Sequence, residues 1–559
     1  MKLSYSPRIA VYLWIALLAF SFYIAARTSY RRSLSTEEFA YACDSFGYLR
    51  MAKELRHAYE HGTWPEFALE SPQTRLLINF MLQNKVAVTR WDEAIAPHAH
   101  HYAPKSGYVI DQYPPGTGLV LSMFPQGEAV YRLNRLVVWV FTVAGFAALA
   151  LAAWKRAWAT ISLVVLALTV GFMVIARLGA LSFSMNAGLV PILLTSVFTL
   201  IALRLKTADR DGLALLFALV AGMSLGVATM VRLPSFLLSA GFLVLLWPGL
   251  RNFRIKSLPV AFALGVTVAG VIPVVINQHV AAGAWYLTTY SRADAEPPTL
   301  KYVGQSAKYF LINGEGSVDN WSLVAGAVGL IGFLLLYVRR DSEPSNRLGL
   351  SWKRFVLAVP LLWLPTLCYF LLHRINGAHY MVSALWATVT LLGLGAFAIE
   401  ITSNVALRFE PRRILSWVAL ALILFPVAAT FQRTWTNRDL APAPERAITH
   451  APILLPSELV DDKAWIWADL LTGSLWYYSN KPAFKIQFTD HEIREKMFKF
   501  VWERGERQYL IQDSEQMKVY IAEIEKLGGK LEMRGKVDGQ PYFLVVWPEG
   551  GPSNADKRG

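Results

Sequence analysis

The sequence predicts an α-helical polytopic membrane protein of about eleven transmembrane helices with a small extracytoplasmic α/β domain at its C-terminal end. Three observations predict it. Of 559 residues, 54% are apolar and the mean hydropathy is +0.36, well above a soluble average. Eleven stretches are long and apolar enough to cross a hydrocarbon core, which takes about 20 residues of helix. Beyond residue 431 the long apolar runs give way to short strand and helix periods.

The expected spans fall at about 9–26, 134–153, 158–176, 185–203, 213–231, 233–249, 258–277, 321–338, 355–372, 380–400 and 414–431. With the N-terminus in the cytoplasm, eighteen Lys and Arg lie on inner segments, against only Arg177, Arg232 and Arg374 in the three short outer turns. Cytoplasmic loops of membrane proteins carry such an excess of cations, so this orientation is the expected one. The same loops account for the net charge of +14 without a nucleic-acid partner. Lys2 and Arg8 precede the first span as in a signal peptide, but no small-x-small cleavage site follows, and an uncleaved helix is expected. The transmembrane domain is then 1–431, with outer loops 27–133 and 278–320, and 432–559 is an extracytoplasmic soluble domain. No inverted repeat is visible, which argues against a secondary transporter. Cys43 and Cys368 lie far apart and form no disulfide or zinc pattern; Cys368, in an apolar run, reads as a buried thiol.

In the tail, 464–468, 484–488 and 508–512 read as strands and 470–479, 490–504 and 514–527 as helices. A final hairpin turns at Asp538-Gly539. No Gly-rich phosphate loop accompanies them. A structural or acceptor-recognition role is expected for this domain.

The stretch 42–52 places Asp44 shortly after the first span, among Phe39, Tyr41, Phe46 and Tyr48. Tyr48, Met51 and Leu55 follow at helical spacing, as in a short amphipathic helix lying along the membrane surface. Asp44 at its start suits either an N-cap or a functional carboxylate.

Three further stretches carry a resemblance. Gln-Tyr-Pro-Pro-Gly spans 112–116, a Gly-rich helix ends as Val-Arg-Leu-Pro at 231–234, and His-Arg-Ile-Asn-Gly-Ala-His-Tyr spans 373–380. In their order, and with Asp-x-x-x-Tyr at 44–48, they resemble the GT-C glycosyltransferases, polytopic enzymes that include the protein O-mannosyltransferases and the lipid A aminoarabinose transferases. The resemblance covers roughly residues 9–400. It implies transfer of a sugar, inverting at its anomeric carbon, from a polyprenyl-phosphate donor to an extracytoplasmic glycan, lipid or protein acceptor. It implies a place among membrane lipids, in a bacterial plasma membrane. It gives Asp44 the role of general base, with Asp111 as the best second acid, although Asp111 equally suits a turn. Tyr48, Tyr113, Arg232, His373, Arg374, His379 and Tyr380 are the implied substrate-binding residues, the arginines suiting a lipid phosphate because their forks offer paired donors.

The chain departs from the family pattern at three points. Residues 180–191 hold Asn186 and no carboxylate, Ser45 follows Asp44, and no Pro follows Tyr380 in the late helix. No cofactor is therefore expected with certainty, and a divalent metal has weak support. His57 and His61 share a helix face, and His98, His100 and His101 cluster, but no His-Glu-x-x-His motif joins them; solvated or interfacial histidines are expected. The competing readings are an envelope glycan polymerase or ligase, a lipid transporter, or a zinc-dependent hydrolase. Polymerases and ligases place their large outer loop late, whereas here it comes early.

Overall fold

The computed structural model describes residues 42–155, 183–247, 257–290, 297–312, 352–373, 378–402 and 455–548, with scattered positions in 16–27, 321–329 and 414–425. In chain order the elements are α1 (Ala42–His61), α2 (Pro72–Gln83), β1 (His100–Ala103), β2 (Tyr108–Asp111), α3 (Gly116–Ser122), α4 (Ala129–Lys155), α5 (Phe183–Thr207), α6 (Asp211–Val231), α7 (Ser239–Leu246), α8 (Leu258–Ala282), α9 (Trp352–Leu371) and α10 (Val382–Thr402). The tail adds β3 (Ala464–Ala468), α11 (Thr472–Ser479), β4 (Phe484–Lys485), α12 (His491–Glu503), β5 (Arg507–Ile511), α13 (Met517–Lys526), β6 (Lys530–Val537) and β7 (Gln540–Val546). These form two compact units.

The first unit comprises Met1–Thr36, Val130–Val274 and Glu296–Ala443. Among the described residues, four helices are long and apolar enough to cross a membrane: Ala129–Ala147, Ser184–Thr207, Asp211–Val231 and Leu258–Ala282. Leu233–Leu246, Leu357–Leu371 and Val382–Gly395 are shorter apolar helices. Together they coincide with seven of the eleven expected spans. The span at 158–176 lies outside the described residues, and 9–26, 321–338 and 414–431 are described only at scattered helical positions. The 233–249 span opens as a 3₁₀ stretch, Leu233–Leu238, because Pro234 cannot continue α6.

Small residues let α6 and α8 approach backbone to backbone. A Cβ on Gly222 would lie 2.0 Å from the Phe262 carbonyl oxygen, and one on Gly265 would lie 2.2 Å from that of Leu219. Without a hydrophobic drive between lipid-immersed helices, such close packing is what holds them. Polar links add to it: Asn186 on α5 donates to Asn134 on α4 at 2.6 Å, and the Trp386 indole on α10 donates to the Leu189 carbonyl at 2.9 Å. Cys368 is exposed on α9, not buried as its apolar surroundings suggested, because it lies on the outward face of that helix.

The second unit joins the first large loop to the tail: Glu37–Ala129, Val275–Ala295 and Pro444–Gly559. Its five-stranded sheet has the order β4-β3-β5-β7-β6, with β4, β3 and β5 parallel and β7 and β6 antiparallel. Asp538 and Gly539, with φ of 48° and 77°, make the two-residue hairpin turn between β6 and β7. The expected strand at 484–488 is only two residues long. One face of the sheet packs Ile466, Leu475, Tyr509, Ile511 and Tyr542 into a core. On the other, Trp465 and Trp467 stack with ring centroids 6.1 Å apart, and Trp465 stacks on Phe484 at 5.2 Å.

Loop helix α2 is tied to this sheet. Ser71 caps it, accepting from the Thr74 amide at 3.0 Å, and Pro72 suits its first turn. The buried Gln73 amide donates to the Asp462 and Ala464 carbonyls at 2.9 and 3.0 Å. Phe80 stacks on Phe500, and Arg90 pairs with Asp490 and Glu492 at 2.8 and 2.7 Å. The hairpin β1–β2 is antiparallel, with His100 opposite Asp111.

Candidate functional site

The site residues of the first loop gather where α1 presses on the β1–β2 hairpin. Gly47 makes the approach possible. A Cβ there would meet the Ala99 Cβ at 2.8 Å, the Tyr113 ring at 3.0 Å and the Asp111 Oδ2 at 3.1 Å. One residue on, Tyr48 packs its ring on Tyr113 at 4.6 Å. Gly118 of α3 plays the same part further along, with Met51 filling the space a side chain would take. Position 44 precedes Gly47 and Tyr48 by three and four residues, so the helix repeat puts it on the same face.

Asp111 ends β2 and is buried, 2% exposed. Its Oδ1 accepts from the Tyr113 amide at 2.8 Å, the local bond by which Asp builds a turn two residues on. Tyr113 is further held by the Gln112 amide, which donates to its hydroxyl at 3.0 Å, and by Tyr290 at 6.2 Å, edge to face. Thr289 donates to the Gln112 carbonyl at 3.1 Å. The Pro-Pro segment therefore leaves the hairpin through a fixed turn, and Tyr113 is fixed with it.

Two further groups bound this cluster. Arg50, one turn past Phe46 on α1, is buried and donates through both arms of its fork to the Phe67 and Ala68 carbonyls at 3.0 and 2.9 Å. Burial pulls its guanidinium below its ordinary pKa, against the fields of Glu54, Asp111 and Glu66, which favour the charge. His100 packs on Phe46 at 5.0 Å, and its Nε2 lies 3.9 Å from the Asp111 Oδ2. Burial, and then the field of Arg50, hold its pKa well below the ordinary histidine value. The ring is neutral at physiological pH, with Nδ1 3.2 Å from the His98 carbonyl; donation there leaves a lone pair on Nε2. His101 is likewise pulled down, to about 4, by burial and by Lys485.

The same loop closes the crevice at the carboxyl ends of the parallel strands. The chain passes from β3 to β4 on one side and then to β5 on the other, so the strand order reverses beside β3. There the Asp513 carboxylate accepts from the Asp469 amide at 3.0 Å and the Leu471 amide at 2.6 Å. His98 reaches in, with Nε2 3.3 Å from the Asp469 Oδ1 and 3.3 Å from the Gln487 amide, and its own amide donates to the Thr472 hydroxyl at 3.2 Å. Burial and the charge of Asp469 push the Asp513 carboxyl up to about 7, against the amides that donate to it. An unfolded Asp ionises near 3.8, so the stability this raised pKa contributes is full below that pH, declines above it and is gone past about 7. The unfolding midpoint of the wild-type chain is therefore expected to fall more between pH 4 and 7 than that of Asp513→Asn. Parallel curves in a thermal melt series would contradict this.

In the first unit, Arg232 and Tyr380 come together, and His373 packs on Tyr369, next to the Phe370 on which Tyr380 stacks. The Arg232 guanidinium lies 4.9 Å over the Tyr380 ring and 2.9 Å from the Met185 sulfur, and no carboxylate pairs with it among the described residues. Tyr380 stacks on Phe370 at 5.1 Å, and His373 packs on the neighbouring Tyr369 at 4.1 Å. A cation held by a ring and a thioether keeps its charge for an anion. Arg374 lies outside the described residues, and His379 is described in its backbone only.

No family model matches the chain, and no curated protein matches it. Among solved structures the chain is similar to ArnT. The apo crystal structure of ArnT from Cupriavidus metallidurans is 15% identical over 96% of this chain and 98% of that one, with a TM-score of 0.45. The structure of the same protein bound to undecaprenyl phosphate is 14% identical over 97% and 99%, again at 0.45. Likeness of that degree assigns no chemistry to any residue here.

Several expectations are corrected. Asp44 is not an N-cap, since the helix already runs at Ala42 and a cap has non-helical torsions. The first half of α1 does not lie on a surface: 45–52 are buried on every side, because the hairpin, α3 and α11 surround them. His98, His100 and His101 are buried, not solvated, and are neither together nor with neighbours a metal centre: no group of three or more His, Cys, Asp or Glu positioned for a metal exists among the described residues. His57 and His61 do remain on the surface, their rings tilted against each other with centroids 4.1 Å apart. Asn186 serves packing through Asn134. Arg50, Gly47 and Asp513 were not singled out by sequence, although Gly47 lies inside the Asp-x-x-x-Tyr stretch; His100 was named only as one of a histidine cluster.

Proposed function

We propose that this chain is an integral membrane glycosyltransferase that moves a sugar from a polyprenyl-phosphate donor to an extracytoplasmic acceptor. The observation that carries the reading is the face of α1. Position 44 shares it with Gly47 and Tyr48, and that face meets Asp111 and Tyr113 of the Tyr-Pro-Pro segment. Two sequence motifs 60-odd residues apart, both part of the resemblance to the GT-C enzymes, are neighbours in space.

In this reading an acceptor hydroxyl attacks the anomeric carbon of the donor sugar while Asp44 takes its proton, because a hydroxyl is a poor nucleophile near neutral pH. The bond to the lipid phosphate breaks on the opposite side, so the anomeric centre inverts. The resemblance gives Arg232, Tyr380, His373, His379 and Arg374, all of the first unit, the binding of a lipid phosphate, for which the arginine forks offer paired donors. Asp111 holds the turn that presents Tyr113, and Tyr48 and Tyr113 border the sugar. No group of three or more His, Cys, Asp or Glu positioned for a metal occurs among the described residues, and no step here is assigned to one.

The test is turnover by the purified chain. A polyprenyl-phosphate sugar incubated with bacterial envelope glycans is expected to lose its sugar to them, and to release the carrier phosphate, only when the chain is present. Orientation is a separate expectation. A reporter fused after residue 432 should be active only outside the cytoplasm, and one inserted in 339–352 only inside it. The reverse pattern would put Asp44 in the wrong compartment.

A further inference from the structure

A polar cavity of about 220 Å³ opens beside α1. Arg50, Lys53 and Glu54 line it from α1, Glu66 from the segment that Arg50 holds in place, and Trp476 and Tyr477 from α11. The volume lies below the roughly 300–1,000 Å³ of clefts that hold drug-sized ligands. It matches a single pyranose ring.

The walls suit such a ring. Aromatic faces offer surface to its C–H groups, while carboxylates accept and an ammonium donates to its hydroxyls. Charge narrows the class. Glu54, Glu66 and Glu70 oppose Arg50 and Lys53, and Glu70 is also engaged by Arg75 at 2.6 Å. Such a site does not gather an anion. It admits a neutral sugar or one carrying an ammonium group.

Place along the helix adds a role. Positions 50–54 lie six to ten residues beyond position 44, about 9–15 Å along the axis at 1.5 Å per residue. Arg50, which lines the cavity, lies in the fields of Glu54, Asp111 and Glu66. We propose that this cavity binds a neutral or amino-sugar ring of the acceptor glycan, one or two rings removed from the hydroxyl that attacks. The role as an acceptor subsite rests on the transferase reading; the binding of a sugar ring does not.

The experiment therefore reads binding without any donor. The full chain in detergent is titrated with methyl glucosaminide by saturation-transfer NMR, with glucuronate as the anionic control. Saturable binding at about 1 mM or tighter is expected. It should weaken at least tenfold in Glu66→Gln and in Tyr477→Ala, and glucuronate should not bind. Glu66 is exposed, so its variant keeps the test valid where Tyr477→Ala fails to fold. No saturable binding by the wild type, equal binding by folded variants, or equal binding of glucuronate would each overturn the proposal. In the transfer assay the same variants should raise the acceptor KM about tenfold and leave kcat and the donor KM unchanged. A chain that binds the glycoside yet consumes no donor would refute the transferase reading and leave the sugar site standing.

Discussion

Asp44→Asn is expected to fold, insert and bind the lipid donor, yet transfer sugar about 10²–10⁴-fold more slowly, the usual cost of removing a general base. The substitution keeps shape and removes proton acceptance. A structural role as a helix cap predicts the opposite, since Asn caps as well as Asp, and the helical torsions at Ala42 and Cys43 already place position 44 past any cap. Asp111→Asn is the control. Its amide oxygen can still accept from the Tyr113 amide, the bond that Asp111 makes at 2.8 Å, so its turn survives and its loss should be milder. Initial rates with a polyprenyl-phosphate sugar, read beside donor affinity for each variant, separate the two. Near-wild-type transfer by Asp44→Asn would remove the base from the mechanism.

Arg50→Leu is expected to lower stability by about 2–4 kcal/mol, the order expected when two carbonyls in a closed segment lose their charged donor. The reason lies in what remains. The Phe67 and Ala68 carbonyls lose their donors at once, and Glu54, Asp111 and Glu66 lose the cation whose field they share. Leu fills volume but replaces none of these bonds. Arg50→Lys should fall between, because an ammonium keeps the charge and lacks the fork that reaches both carbonyls. Apparent unfolding midpoints of the purified chains check the order wild type, Lys, Leu. A Leu variant as stable as the wild type would show that the guanidinium is not what joins α1 to the 66–69 segment.

How much was legible in sequence depended on the range of the interaction that decides each feature. Local rules located Asp538-Gly539, the strand at 464–468 and the helix expected at 490–504, observed at His491–Glu503, because a hairpin turn, a buried apolar run and a helical period act within a few residues. The apolar helices were legible for the same reason, as length and composition suffice. Arg50 was not, since an Arg one turn from a Phe on a short helix looks like any exposed cation until the loop and the tail fold around it. His98, His100 and His101 read as solvated for want of the same knowledge. Their burial depends on Asp469, Phe46 and Lys485, which stand from about 50 to nearly 400 positions away. Asp513 was invisible because only the reversal of strand order beside β3 turns two loop carboxylates into neighbours. The Asp44–Tyr48 spacing carried more than its length suggests, because Gly47 inside it is the residue whose missing side chain lets the helix touch Asp111 and Tyr113.

The most direct measurement of the central claim compares cells with and without this chain. Lipid extracts and envelope glycans are taken from both, and the deletion is complemented by the wild type and by Asp44→Asn. The deletion is expected to accumulate one polyprenyl-phosphate sugar and an envelope glycan to lose that same sugar, with only the wild-type chain restoring it. Unchanged lipid-linked sugars and unchanged glycans in the deletion, or full restoration by Asp44→Asn, would contradict it.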